Sequence, residues 1–326
     1  MLSWPGEWSK GAQIQRLARQ RRSELVIVSG YSDLAHARMI LWSAREGIPV
    51  MLWADSSIQA ERAAGLRGRI KGWLLPELLS RCSAVLAWGT LGEQYFRKYG
   101  VPSERIFLVP PEPDYAAFEE ASPQRLTAIR EKYDLPKGRR FLMFCGRLAH
   151  EKRVDLLINA FAGVAHEHPE WDLLVVGDGP LREQLQQLAQ DRFGAPSGSR
   201  VKWLGAVLNP ADLAAVYKSA DVFVLPSDFE PWGVVVSEAA AAGLALVCSD
   251  RVGAASELLR DGENGRLFRA GSSVSLQAAM NDAMNPMLLP TRKAASSSIL
   301  LRWRTNNDPV KGLRGALKAV NFSKRP

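Results

Sequence analysis

With 326 residues the chain exceeds one ordinary hydrophobic core, so two domains are expected. Its 47% hydrophobic and 23% charged residues are those of an ordinary soluble globular protein; no apolar run approaches the ~20 residues that span a bilayer, and MLSWPGEWSK lacks the features of a signal peptide, so a cytoplasmic location is expected. The net charge of +8 gathers at the two ends, with 20 basic against 15 acidic residues over 1–139, 13 against 17 over 140–270, and 9 against 2 over 271–326.

In chain order, residues 12–22 are helical in period, and Glu24 to Gly30 is a strand ending in a glycine turn. Asp33 to Glu46 is a helix closed by Gly47, followed by a strand over Ile48 to Asp55. Residues 59–79 are helical up to Pro76, Ala84 to Gly89 is a third strand, Leu91 to Tyr99 a helix ended by Gly100, and Ile106 to Val109 a fourth strand. Strands alternating with helices predict a parallel sheet covered on both faces. PPEPDYAAFEEASPQ, from Pro110, breaks the pattern and reads as a linker, with a helix over Pro123 to Tyr133.

A second alternation follows. Its strands are Phe141 to Cys145, Asp172 to Val176, Val201 to Trp203, Val222 to Leu225 and Leu244 to Cys248, with helices at about 154–167, 181–192, 211–219 and 234–242. After Gly271 the pattern is less regular, with helical segments near 274–284 and 310–320. The expected domains are therefore 1–112, a linker and helix over 113–138, a second domain over 139–290, and a basic tail over 291–326 that packs back on the first domain.

The stretch richest in chemistry is DVFVLPSDFEPWGVVVSEAAAAG, Asp221 to Gly243. It reads as a buried strand stopped by Pro226, a loop with Asp228 and Glu230, and a helix from Val234 closed by Gly243. Such a junction presents free N–H groups and the positive end of a helix dipole to an anion. Glu230 precedes that helix end and Glu238 lies roughly 7–8 Å further along it, so two acceptors flank one anion site. The arrangement suits a sugar nucleotide, with the diphosphate on the N–H groups of Trp232, Gly233 and Val234. CGRLAHEK supplies Gly146 for a tight turn, and Arg147 and Lys152 to neutralise a diphosphate at the carboxyl edge of the sheet. VVGDGPLR, with Gly177, Asp178 and Gly179, lacks the third glycine of a dinucleotide fingerprint and reads as a turn lining the same crevice.

On the first domain, Asp55 and Trp53 fall at the end of a strand and are acceptor-side candidates, although Asp55 also fits an N-cap or turn. Residues 62–75, RAAGLRGRIKGWLL, place Leu66, Ile70, Trp73 and Leu74 at helical spacing among Arg62, Arg67, Arg69 and Lys71. That composition fits an interfacial helix on anionic lipid, while a core-facing helix with a solvated basic face is the commoner explanation. No basic run interleaved with stacking aromatics points to nucleic acid. Cys82, Cys145 and Cys248 read as reduced core residues, the four histidines are scattered without metal-ligand spacing, and no Asp-x-Asp exists to hold a diphosphate through a divalent cation. Neither cofactor nor metal is expected.

Together GRLAHEK, LLVVGDGPL, VKWLGAV, YKSADVFVLPSDFEPWGVVVSEAAAAG and GAASELLRDGENGRLF, in this order, resemble the retaining glycosyltransferases of family 4. The resemblance implies an α/β chain of GT-B type, two facing doubly wound Rossmann-like domains, the first acceptor-side and the second nucleotide-sugar-binding. It also implies that Glu230 contacts the transferred sugar and Glu238 the ribose, that Arg147 and Lys152 hold the diphosphate, and that Gly205, Val207 and Leu208 meet the nucleobase. The first domain departs from the family: its opening strand and glycine-rich loop are not found, so it is expected to be incomplete, and Asp55 stands where a histidine is common. The implied activity is metal-independent transfer of a hexose from a nucleoside-diphosphate sugar to a saccharide or lipid-linked acceptor. A sugar-nucleotide epimerase and a non-catalytic nucleotide-sugar-binding protein are the alternatives.

Overall fold

The computed structural model describes residues 4–59, 65–119, 121–194 and 200–320, which form two compact units, Met1–Pro111 with Thr305–Pro326, and Glu112–Arg304. Unit 1 holds four strands, β1 (Val26–Ser29), β2 (Val50–Ala54), β3 (Ala84–Ala87) and β4 (Ile106–Leu108), all parallel and in consecutive order. Consecutive parallel strands joined by right-handed crossovers put every connecting helix on one face. Accordingly Met39, Ile40 and Trp42 of α2 (Leu34–Arg45), Leu75 and Leu79 of α3 (Gly65–Ser80), and Tyr95 and Phe96 of α4 (Thr90–Lys98) share one core, joined by Ala18 of α1 (Trp4–Gln20). The strand period of two sorts β2 between faces, with Val50, Leu52 and Ala54 in that core and Met51 and Trp53 on the other side. The second face is covered by α14 (Pro309–Ala319), where Leu313, Ala316 and Leu317 meet Met51, Leu86 and Phe107. A β-carbon at Gly312 would overlap the Leu108 carbonyl, so α14 can lie this close only with glycine there.

Unit 2 holds α5 (Tyr115–Glu119), α6 (Pro123–Lys132), β5 (Arg140–Cys145), α7 (Val154–Val164), β6 (Trp171–Val176), α8 (Arg182–Phe193), β7 (Val201–Gly205), α9 (Pro210–Lys218) and β8 (Val222–Leu225). It continues through α10 (Val234–Ala241), β9 (Ala245–Ser249), α11 (Ala255–Leu258), β10 (Gly265–Phe268), α12 (Ser273–Ala283) and most of α13 (Leu289–Asn306). The sheet is parallel throughout in the order β10-β9-β8-β5-β6-β7, the doubly wound arrangement in which strand order reverses between β5 and β8. β5, β6, β8 and β9 are almost wholly buried, which explains their unbroken apolar runs. Ser122, Asn209 and Asp308 accept from backbone N–H groups two or three residues on, each followed by proline at the first helical position.

Several expectations need correction. Helix α3 does not end at Pro76 but runs through it to Ser80. The proline frees the carbonyl of exposed Gly72, where water can reach it, and burial of Leu75 and Leu79 on either side of the break holds the last turn in place. Within 113–138 the expected helix is α6, a further short helix, α5, precedes it, and the contacts of both with α9 make the segment part of unit 2 rather than a linker. The tail from 291 is divided, its first part completing α13 in unit 2 and its later part forming α14 in unit 1. Helix α13 and strand β10 have no counterpart among the sequence assignments. Arg62 lies outside the described residues.

Candidate active site

The reversal between β5 and β8 leaves a crevice at their carboxyl ends, where open α/β sheets bind ligands. The loop after β5 runs from Gly146 through a 3-10 turn over His150–Lys152 to Arg153, in left-handed conformation at φ 53°. The loop after β8 runs from Pro226 to Gly233, whose φ of 95° opens α10 without a side-chain cap. Three ties join these loops. Lys152 Nζ donates to Glu230 Oε2, Arg153 donates to Asp228 Oδ2 at 2.7 Å, and the Asp228 N–H donates to the Glu151 carbonyl at 2.9 Å. The Lys152 and Glu230 side chains are only 18% and 13% exposed, so an ammonium and a carboxylate meet in a poorly solvated place beside the N-terminus of a helix. An incoming anion would meet that ammonium and the first N–H groups of α10 together.

Most of the remaining candidates sit on the loops that follow β5, β6, β7 and β8. The Arg147 guanidinium, largely exposed, pairs with Glu151 at 2.5 Å. Gly177 and Gly179 brace the β5 loop from below: a β-carbon on Gly177 would overlap the Gly146 carbonyl, and one on Gly179 the Leu148 carbonyl. The Asp178 carboxylate accepts from the Gly179 N–H at 2.8 Å and from Arg182 at 2.8 Å, and these bonds hold it below the usual carboxylate range. Gly205, at φ 69°, ends β7 and its carbonyl accepts from Gly177 at 2.8 Å; Val207 and exposed Leu208 follow in the loop beyond. Trp232 is buried against Trp303, ring centroids 5.6 Å apart, so only its backbone can touch a ligand.

Glu238 lies on the side of α10 turned toward α9, and accepts from the Tyr217 hydroxyl at 2.7 Å. Cys145, at the end of β5, lies beside both, and burial pushes its thiol up to about 12, which keeps it protonated and inert. Burial raises the Glu238 carboxyl above its ordinary range, against the pull of the Tyr217 bond. A carboxyl raised on folding contributes stability that falls as pH rises from the unfolded value through the folded one. The bond to Tyr217 grows in worth over the same window, because it then meets a charge. Tyr217→Phe is therefore expected to cost about 1.5–3 kcal/mol where Glu238 is ionised and less where it is protonated, and urea unfolding followed across pH measures the difference. Tyr217 carried a signal in the sequence only as an aromatic within an apolar helix, and sequence reasoning missed it.

In unit 1, Asp55 follows β2 with its side chain exposed, at the carboxyl edge of that sheet. Trp53 donates its indole N–H to the Val109 carbonyl at 2.8 Å and packs against Trp88 at 5.1 Å, which makes it a packing residue of that edge. Nearby, the Ser57 hydroxyl and the Trp88 indole N–H are buried without a hydrogen-bond partner, a pair the sequence did not reveal. Among the described residues no three His, Cys, Asp or Glu side chains gather as a metal site, and no helix is long and apolar enough to cross a membrane.

Strand order, a glycine-opened helix terminus and a lysine–glutamate pair at the switch point define a Rossmann-like domain whose crevice presents an ammonium and free helix N–H groups. Residues 127–297, more than half of the chain, match the family of glycosyl transferases group 1, and the chain belongs to it. It is 27% identical over 292 residues to an alpha-maltose-1-phosphate synthase of Mycolicibacterium smegmatis, covering 84% of this chain and 72% of that protein. Over 215 residues it is 32% identical to the GDP-mannose-dependent alpha-(1-6)-phosphatidylinositol monomannoside mannosyltransferase of the same organism, covering 63% and 53%. An uncharacterized glycosyltransferase of Methanocaldococcus jannaschii is 29% identical over 185 residues, covering 56% and 46%. The chain thus spans from about half to about seven-tenths of the length of these curated relatives. Among solved structures, sucrose-phosphate synthase from Thermosynechococcus elongatus superposes with a TM-score of 0.78 at 19% identity, covering 99% and 79%, and Anabaena HepE in complex with UDP and glucose with 0.75 at 20%, covering 96% and 81%. These likenesses give the fold, that of the GT-B glycosyltransferases.

Proposed function

We propose that the chain is a retaining hexosyltransferase of family 4 that moves a sugar from a nucleoside diphosphate to a saccharide or lipid-linked acceptor, without a metal ion, in the cytoplasm and at the inner membrane face. The observation that carries this reading is the Lys152–Glu230 pair at the switch point, next to the uncapped N-terminus of α10. In the reading, the diphosphate takes the ammonium of Lys152 and the N–H groups of Trp232, Gly233 and Val234, with Arg147 swinging from Glu151 to join them. Glu230 is then released toward the sugar hydroxyls, Glu238 receives the ribose, and Gly146, Asp178, Gly179 and the Gly205 to Leu208 loop line the rest of the donor site.

The bond from the anomeric carbon to the phosphate oxygen breaks as the acceptor oxygen bonds to the same face of that carbon. The acceptor proton passes to the departing phosphate, so no further base is needed. Charge growing on that phosphate is met by groups already in place, usually the largest catalytic term. Support for metal independence comes from the donor set: a divalent cation would need clustered carboxylates, and Glu151, Glu230 and Asp228 are each paired with a basic side chain instead, Arg147, Lys152 and Arg153. The HepE complex carries UDP and the monomannoside mannosyltransferase is named as GDP-mannose-dependent, so both bases need testing.

Calorimetric titration of the chain with UDP and GDP in the presence of a chelator is expected to show binding to one of them, weakened at least tenfold by Glu238→Ala and by Lys152→Ala. A folded chain that binds neither nucleotide would sink the reading. Product analysis with and without acceptor separates transfer from epimerisation, which turns over the nucleotide sugar alone, and from binding without turnover.

A further inference from the structure

Helix α3 shows its apolar stripe to solvent. Ile70, Trp73 and Leu74, at the spacing of one helical face, are 49%, 78% and 51% exposed, while Leu75 and Leu79 on the neighbouring stripe are buried. Burial of the second stripe accounts for the helix's place in the fold and leaves the first without a role in packing.

The exposed stripe borders an open groove of about 380 Å³ between α2 and α3, lined by Tyr31, Ala37, Leu41, Leu74, Leu75 and Leu78. The groove presents carbon. Its floor hydroxyl, Tyr31, is bonded to Ser56 at 2.8 Å and to Tyr95 at 2.7 Å, so it asks no polar group of a ligand. Lys71 lies at the rim with its ammonium 5.0 Å above the Tyr95 ring, and Arg69 is exposed on the other side of Ile70. The carboxylate at the rim, Glu77, is neutralised by Arg81, whose Nε donates to it at 3.1 Å. An apolar slot with a cationic rim and a protruding tryptophan fits an amphiphile with an anionic head and a hydrocarbon tail.

We propose that this groove takes an acyl chain of an anionic bilayer lipid, with Ile70 and Trp73 seated at the membrane interface and Arg69 and Lys71 against lipid phosphates. Tyr31 follows β1 and Ser56 follows Asp55, so the groove starts at the carboxyl edge of the unit 1 sheet, and a lipid held there carries its head group to the edge that holds Asp55. The proposal deepens the lipid-linked acceptor reading and rests on it only for what becomes of the head group.

The test is partition of the full chain onto vesicles of phosphatidylglycerol and phosphatidylcholine, against vesicles of phosphatidylcholine alone, with acyl-brominated lipid as quencher of tryptophan fluorescence. Expected are at least tenfold tighter binding to the anionic vesicles, quenching that Trp73→Phe removes, and a tenfold or greater loss in Ile70→Asp. A lysolipid below its micelle concentration should bind the chain one to one, and Ala37→Phe, which fills the groove, should abolish that binding. UDP affinity of Ile70→Asp is read alongside, so that failure of the lipid site and failure of the donor reading are separate results. Anionic vesicle binding that is unchanged in Ile70→Asp and unquenched by brominated chains would overturn the proposal. So would self-association that Ile70→Asp abolishes, which would give the face to a second copy of the chain.

Discussion

Lys152→Ala is expected to lower the rate of sugar transfer by about 10²–10³ while the chain keeps its fold. The ammonium is bound to Glu230, whose side chain lies against Gly233 at the uncapped end of α10. Arg153 is held by Asp228 and Asp155, and Arg147, which joins the diphosphate on the proposed reading, stands largely in solvent where its charge counts for less. The substitution also leaves Glu230 poorly solvated and without its partner, so part of the loss would come from a repelled diphosphate. Glu230→Gln and the double variant separate the two effects. If Lys152 acts on the phosphate, the double variant is slower than Glu230→Gln by about the factor that Lys152→Ala costs on its own. If Lys152 serves only to neutralise Glu230, the double variant is as fast as Glu230→Gln. Near-normal turnover in Lys152→Ala would remove the lysine from the mechanism. Steady-state turnover and nucleotide affinity measured on all four proteins decide between these outcomes.

The strand, loop and helix that carry Glu230 were legible in the sequence because their determinants are local. Strand, proline stop, carboxylate loop and helix lie within Asp221 to Gly243, and every part is read from neighbours in the chain. What the sequence could not carry was partnership across the sheet. That Lys152 meets Glu230, 78 residues away, and that Tyr217 meets Glu238 depends on the reversal of strand order between β5 and β8. Helix α13 was hidden because its serine run, Ser296 to Ser298, weakens helix propensity, and its buried Arg292 breaks the apolar period. That arginine is tolerated inside because Asp282 meets it at 2.6 Å. Strand β10 was hidden for the opposite reason, as a short edge strand with Arg266 and half-exposed Leu267 between two buried ends. The exposed stripe of α3 shows the limit of periodicity itself. Helical spacing predicts that Ile70, Trp73 and Leu74 share a face, and cannot say whether that face turns inward.

The loop that carries Glu230 is held from behind by one glycine, and changing it should damage fold and site together. The Gly253 N–H donates to the Glu230 carbonyl at 2.9 Å and the Ala254 N–H to the Trp232 carbonyl at 2.8 Å, a short parallel pairing of residues 230–232 with 252–254. A β-carbon at Gly253 would overlap the carbonyl oxygen of Pro231, and the obstruction is backbone, not a side chain that could swing aside. Gly253→Ala must therefore push the Pro231–Trp232 segment away, breaking both bonds and pulling Trp232 off Trp303. Overpacking of this kind costs about 3 kcal/mol or more, a fall of roughly 6–12 °C in melting temperature for a unit of this size. Gly72→Ala makes the same chemical change where nothing lies within 4 Å, inside a helix, and is expected to raise stability by about 0.5–1 kcal/mol. Because the displaced segment leads into Gly233 and the first N–H groups of α10, nucleotide affinity in Gly253→Ala should also fall at least tenfold, measured below its melting point. Loss of stability with unchanged affinity would mean that the α10 terminus holds its place without the pairing to 252–254, and that the anion site is less dependent on this loop than its hydrogen bonds imply.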